Sequence, residues 1–140
     1  NPEIPKLNTK VNLAYESPVR GIATSGWRGR SLSLGIADAV TVLAKSATDA
    51  DVAATLIANE VNVDFPGIEK RAALEVKDES DLGMIPVTVH VPDLPEDKIF
   101  LALEQGAKTA RKFIKAKKIT AAYLSLQKQR LIIDNKSLLQ

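Results

Sequence analysis

Apolar and polar residues follow two different rhythms along this chain. Ala39–Ala44, AVTVLA, is continuous, apolar and β-branched, the pattern of a strand buried on both faces. Shorter runs at Val11–Tyr15, Arg20–Thr24, Arg71–Val76 and Pro86–Val91 also read as strands, as do Ala122–Leu126 and Leu131–Ile133. Lys128-Gln129 is the expected hairpin turn between the last two. The acidic stretch from Lys77 to Gly83 separates Arg71–Val76 from Pro86–Val91.

The second rhythm is helical. Thr48 is a good N-cap, Asp49 and Asp51 suit the positive end of a helix dipole, and alanine carries the helix to about Val61. Thr48-x-x-Asp51 also fits a capping box, with Asp51 reaching back to the Thr48 amide. Pro95 at the first helical position opens the longest element, which runs to about Lys117. Ile99, Leu103, Ala107, Ala110 and Ile114 recur on one face, which should lie on a sheet. Strands outnumber helices, and two main helices would cover one face of a mixed sheet: a two-layer α+β fold.

Composition narrows the chemistry. The 140 residues are 45% hydrophobic and 26% charged, ordinary for one globular domain. A formal net charge of +2 supplies no strong steering field, so bulk electrostatics does not argue for nucleic acid. Without cysteine there is neither a disulfide nor a thiolate nucleophile or metal ligand. No apolar run approaches the ~18 residues needed to span a bilayer, and a cytoplasmic location is expected.

Several residues carry candidate chemistry. Asp51 and Thr55 stand four apart on one helix face, and oxygen ligands so placed suit a hard cation such as Mg²⁺. Asn59 extends that polar stripe by another turn. In the turn Ser25–Ser31, Gly26 and Gly29 free backbone amides for a phosphate, with Arg28 or Arg30 as a bidentate partner. Trp27 either stacks on a flat ring or plugs the loop from beneath. Asp38 is an acid/base candidate or a turn residue before the buried strand, and Ser31 and Ser33 are hydroxyls with no histidine nearby in sequence. His90, the only histidine, falls between two valines of a strand and reads as structural or surface-lying. Lys108, Arg111, Lys112, Lys115, Lys117 and Lys118 run without an intervening acid, either as a solvated helix face or as contacts for an anionic partner.

The order Ala23-Thr24-Ser25-Gly26, Ala39-Val40-Thr41-Val42 and Ala50-Asp51-x-x-x-Thr55 resembles that of the ApbE-like FAD:protein FMN transferase superfamily. A separate branch of it, with ATSGWRGRS, SLGIADAVTVLA, SDLG and PVTV, is the closer likeness. The resemblance implies Mg²⁺ held by Asp51 and Thr55 beside the diphosphate of FAD or FMN. It places the cofactor against Thr24, Ser25, Gly26, Trp27, Arg28, Gly29 and Arg30. It further implies transfer to a threonine of an acceptor protein. The segment Trp27–Ala39 is shorter than the transferases' histidine-bearing loop, so that loop is shortened or replaced here.

By the same resemblance, residues 1–19 are a lead-in and first strand, and 20–140 the C-terminal half of an ApbE-like domain. The partners implied are the N-terminal half of the same protein and a second copy of the chain. Two other readings stand beside the transferase: a non-catalytic flavin carrier or assembly module, and a nucleic-acid or protein-binding domain using the basic helix 108–118.

Overall fold

The computed structural model describes residues 19–29, 32–77 and 82–135. The strand expected at Val11–Tyr15 and the acidic residues Asp78, Glu79, Ser80 and Asp81 lie outside them. The elements in chain order are β1 (Gly21–Ser25), β2 (Ala39–Ala44), α1 (Ala47–Glu60), β3 (Glu69–Ala72), α2 (Ala73–Val76), β4 (Pro86–His90), α3 (Glu96–Lys115), β5 (Ala121–Leu126) and β6 (Gln129–Asp134).

Four strands form one sheet in the order β1-β2-β5-β6, and β3 pairs with β4 in a separate ribbon. Every described pairing is antiparallel, where a mixed sheet was expected. The reason lies in connectivity. The chain returns from β2 to β5 through α3, which ends beside the end of β2, so β5 must run back against it.

Period-two patterning sorts the sheet into two faces. Val40, Val42 and Ala44 on β2, Ala122, Leu124 and Leu126 on β5 and Ile133 on β6 point to the helices and form the main core. Ala50, Ala53, Ala54, Ile57 and Ala58 of α1 and Ile99, Leu103, Ala107, Ala110 and Ile114 of α3 complete it. The periodic residues of the long helix therefore do face the sheet. On the other face Leu43, Ala121 and Val19 form a smaller cluster against Tyr123.

Small residues set the spacing between the helices. A Cβ on Gly106 of α3 would collide with the Val61 side chain and crowd Leu124, so glycine lets the helices close together there. Gly35 is likewise pressed against the Ala58 carbonyl at the end of α1. α3 stops with Lys117 in the left-handed region (φ 59°), and the β5–β6 turn places Gln127 there too (φ 52°).

Local boundaries moved in instructive ways. Arg71–Val76 is not one strand: pairing ends at Ala72, and Ala73–Val76 makes one helical turn, with Ala73 and Leu74 amides bonded to Ile85 and Gly83. The α1 cap is Ser46, whose hydroxyl accepts from the Asp49 amide 3.1 Å away, and not Thr48. Pro95 is the N-cap of α3 rather than its first helical residue. Among the described residues no helix is long and apolar enough to cross a membrane.

Candidate functional site

The loop after β1 is tied at several points. Its backbone donors turn inward: the Trp27 amide bonds Ala37 O at 3.1 Å and the Gly29 amide bonds Gly26 O at 3.2 Å. Those two amides are thus unavailable to a phosphate. The Arg28 Nε lies 3.3 Å from Asp38 Oδ1, and its guanidinium carbon sits 5.1 Å from the centre of the Trp27 ring. One face of that ring is therefore covered from within the loop, which suits the plug more than the stacking platform. The Trp27 Nε1 is buried and has no hydrogen-bond partner.

Asp38, the acid/base candidate, has both carboxylate oxygens engaged. Its second oxygen accepts from the Gln127 amide at 2.7 Å, in the strained turn between β5 and β6. The Gln127 side chain then accepts from Leu94 N at 2.9 Å and donates to Pro92 O at 2.8 Å. One carboxylate thus locks three chain segments at this end of the sheet. Thr24 is half of a hydroxyl pair with Thr41 (2.9 Å), Ser25 pairs with Val40 in the β1–β2 ladder, and Gly26 packs on the Asp38 carbonyl. Arg30 and Ser31 lie outside the described residues.

The other half of the expected site is elsewhere. Asp51 is exposed and Thr55 half-buried on the flank of α1. Asp51 makes no bond to the Thr48 amide, because Ser46 caps the helix. Asn59, next on the stripe, braces the chain instead: its Oδ1 accepts from Leu34 N at 3.0 Å and from Ser33 Oγ at 3.3 Å. Ser33 is 1% exposed and also accepts from Gly35 N, so its hydroxyl is a structural link. α1 begins beside Gly21 and ends beside Ile36, so the Gly26–Arg28 turn sits at its far end from Asp51. Nine helical residues separate Asp51 from that end, roughly 13 Å of rise.

The structure therefore does not gather the loop and the Asp51–Thr55 pair into one diphosphate site. Among the described residues no group of three or more His, Cys, Asp or Glu side chains could hold a metal. Asp51 and Thr55 supply two oxygen donors, so a Mg²⁺ held there would need waters and ligand phosphates to complete its shell. His90 is exposed at the end of β4.

A different cluster forms where α1 starts. Arg20 N bonds Ala44 O and Thr120 N bonds Leu43 O, so the beginnings of β1 and β5 meet the end of β2. Lys45 follows β2, while Lys112, Lys115, Lys117 and Lys118 close α3. All five lysines are exposed, and none is paired with a carboxylate among the described residues. Arg111 is different. It grips Glu104 at 2.6 Å, and that hydrogen bond holds the Glu104 carboxyl below its usual range against the opposing effect of burial, helped by the charges of Arg111 and Lys108. The sequence showed the helical part of this cluster; Lys45 and Arg20 join it only through the strand register.

The family model described as AbpE bacteria matches residues 3–133. The chain belongs to that family. It is 37% identical over 83 residues to a UPF0280 protein of Methanopyrus kandleri, a match covering 59% of this chain and 34% of that protein. It is 46% identical over 59 residues to a UPF0280 protein of Methanobrevibacter smithii, covering 40% of this chain and 25% of the relative. The matched stretches thus span about a third and a quarter of these relatives' own lengths. No solved structure matches the chain. These findings correct the expected membership of the ApbE-like flavin transferase superfamily, since model and relatives alike point to the AbpE/UPF0280 group. Short motifs such as TSG and VTV follow a strand-and-turn pattern that unrelated sheets share, so their order over-weighted the likeness.

Proposed function

We propose that this chain is a binding domain for a phosphate-bearing ligand of nucleotide type, held at the basic end of the sheet. The observation that carries the reading is the placement at one end of the sheet of lysines from two elements, Lys45 after β2 and Lys112, Lys115, Lys117 and Lys118 on and after α3, without carboxylate partners among the described residues. The neighbouring start of α1 adds the positive end of its dipole. Asp49 and Asp51 offset part of that charge and leave an excess of cations. Exposed lysines bind anions as mobile point charges, so this site selects charge density more than shape.

The chain's own residues would hold the phosphates and leave the rest of the ligand to other surfaces. Arg28, one of the two arginines expected to do so, is held by Asp38 and Trp27 instead. Titration of ADP, ATP and FAD by calorimetry at low and high salt tests the idea. Binding should strengthen with phosphate number and weaken steeply with salt, and Lys117→Glu with Lys118→Glu should lower affinity roughly tenfold, about 1.4 kcal/mol. A single-stranded oligonucleotide provides the contrast. Tight oligonucleotide binding with no binding of mononucleotides would replace this reading by that of an extended nucleic-acid surface. Affinity unchanged in the double variant would remove the basic end from any such role.

A further inference from the structure

The β3–β4 ribbon packs on the segment 33–34 and creates a second polar constellation. Lys70 and Thr88 are direct cross-strand partners, so their side chains share one face of the ribbon. The chain at Ser33 and Leu34 runs beside the ribbon: the Thr88 amide bonds Ser33 O at 2.9 Å along its edge, and Lys70 Nζ bonds Leu34 O at 2.9 Å. Leu34 O also accepts from Asn62 Nδ2 at 3.4 Å, so this segment is well supplied with donors.

Thr88 is 5% exposed, and its hydroxyl is buried without any hydrogen-bond partner. A buried hydroxyl left unmet costs about 1–3 kcal/mol, and nothing in the surrounding backbone ladder needs threonine there. Valine would fill the same space without that cost. Lys70 beside it is exposed overall and uses one of its three ammonium protons on Leu34 O.

We propose that Lys70 and Thr88 form a site for a small carboxylate, each donating to one of its two oxygens. Lys70 supplies the charge and swings from Leu34 O to admit the ligand, uncovering the Thr88 hydroxyl that then donates the second bond. Directly opposed Cβ atoms in an antiparallel pair are about 5 Å apart, which sets the two side chains next to one another. Partial burial lowers the Lys70 pKa, while the Asp64 carboxylate nearby raises it. Asp64 therefore competes with an incoming anion, which predicts how its removal acts.

The test is an amide NMR titration of the whole chain with acetate, using inorganic phosphate as the second probe. Saturable shifts centred on Ser33, Lys70 and Thr88 are expected with acetate and not with phosphate. Thr88→Val should weaken acetate at least fivefold while keeping or raising the melting temperature, and Lys70→Met should abolish the shifts. Asp64→Asn should tighten binding, a change that a purely structural role for Lys70 does not produce. Absence of saturable shifts in the wild-type chain, or acetate affinity unchanged by Thr88→Val, would overturn the proposal. Equal shifts with phosphate would overturn the carboxylate assignment.

Discussion

The two ends of the four-stranded sheet hold similar cations in opposite circumstances. At the Trp27 end, Arg28 leans on an indole and pairs with Asp38, and that carboxylate in turn fastens Gln127. At the other end, Lys45, Lys115, Lys117 and Lys118 stand in solvent without carboxylate partners among the described residues. A cation with its counter-charge in place stabilises the fold and has little left to offer a ligand. One without a partner contributes almost nothing to folding and remains available. The family-like motifs placed the cofactor loop at the first end, and the ligand site proposed above lies at the second.

The largest effect that separates the ends should come from Asp38→Ala. It removes the partner of Arg28 and leaves the Gln127 amide without an acceptor in a strained turn. A loss of about 2–3 kcal/mol in urea denaturation is expected. A loss below about 0.5 kcal/mol would mean that this end is not the tied one. Next comes the double charge reversal at Lys117 and Lys118. It should cost roughly tenfold in nucleotide affinity yet move stability by no more than about 0.5 kcal/mol. A variant that unfolded instead would erase the contrast between the two ends.

Smaller effects sharpen the assignment of α1. Ser46→Ala should cost about 1 kcal/mol, whereas Thr48→Ala should be close to neutral in the same denaturation experiment. The smallest change is electrostatic. Arg111→Ala should return the Glu104 carboxyl toward its ordinary value, followed by carboxyl NMR titration. Because the folded value is depressed, the pair's contribution is complete above the ordinary glutamate pKa. It fades as pH falls through the lower folded value. Glu104 is largely solvated, so its effect on overall stability should be slight.

Much of the fold was legible where one physical signal dominated. Ala39–Ala44 is a strand with the expected bounds, since a continuous β-branched run has no competing reading. The i, i+4 apolar series of Ile99 to Ile114 placed α3 on the sheet. The cap of α1 was misplaced because Ser46-x-x-Asp49 and Thr48-x-x-Asp51 are overlapping versions of one motif, two residues apart. Only the backbone course decides between them. Ala73–Val76 reads as strand because Ala, Leu and Val suit either state, whereas the Lys77 amide closes a helical turn on Ala73 O and the Ala73 and Leu74 amides donate to Ile85 O and Gly83 O.

The candidate sites were less legible. Asn59 looked like a continuation of a ligand stripe, yet its partner lies 25 residues away at Leu34, a separation no local pattern encodes. Asp38 and Gln127 are 89 residues apart. The pairing of Lys70 with Thr88 depends on a ribbon whose register includes a bulge, so spacing along the chain gave no hint of it.

The left-handed conformation of Lys117 at the end of α3 has a consequence of its own. Glycine adopts that geometry without steric cost, while a side chain there sacrifices about 1 kcal/mol. Lys117→Gly should therefore raise the melting temperature while weakening nucleotide affinity. Position 117 sets durability against charge, and a stabilising screen blind to binding would select the variant that had lost part of its ligand.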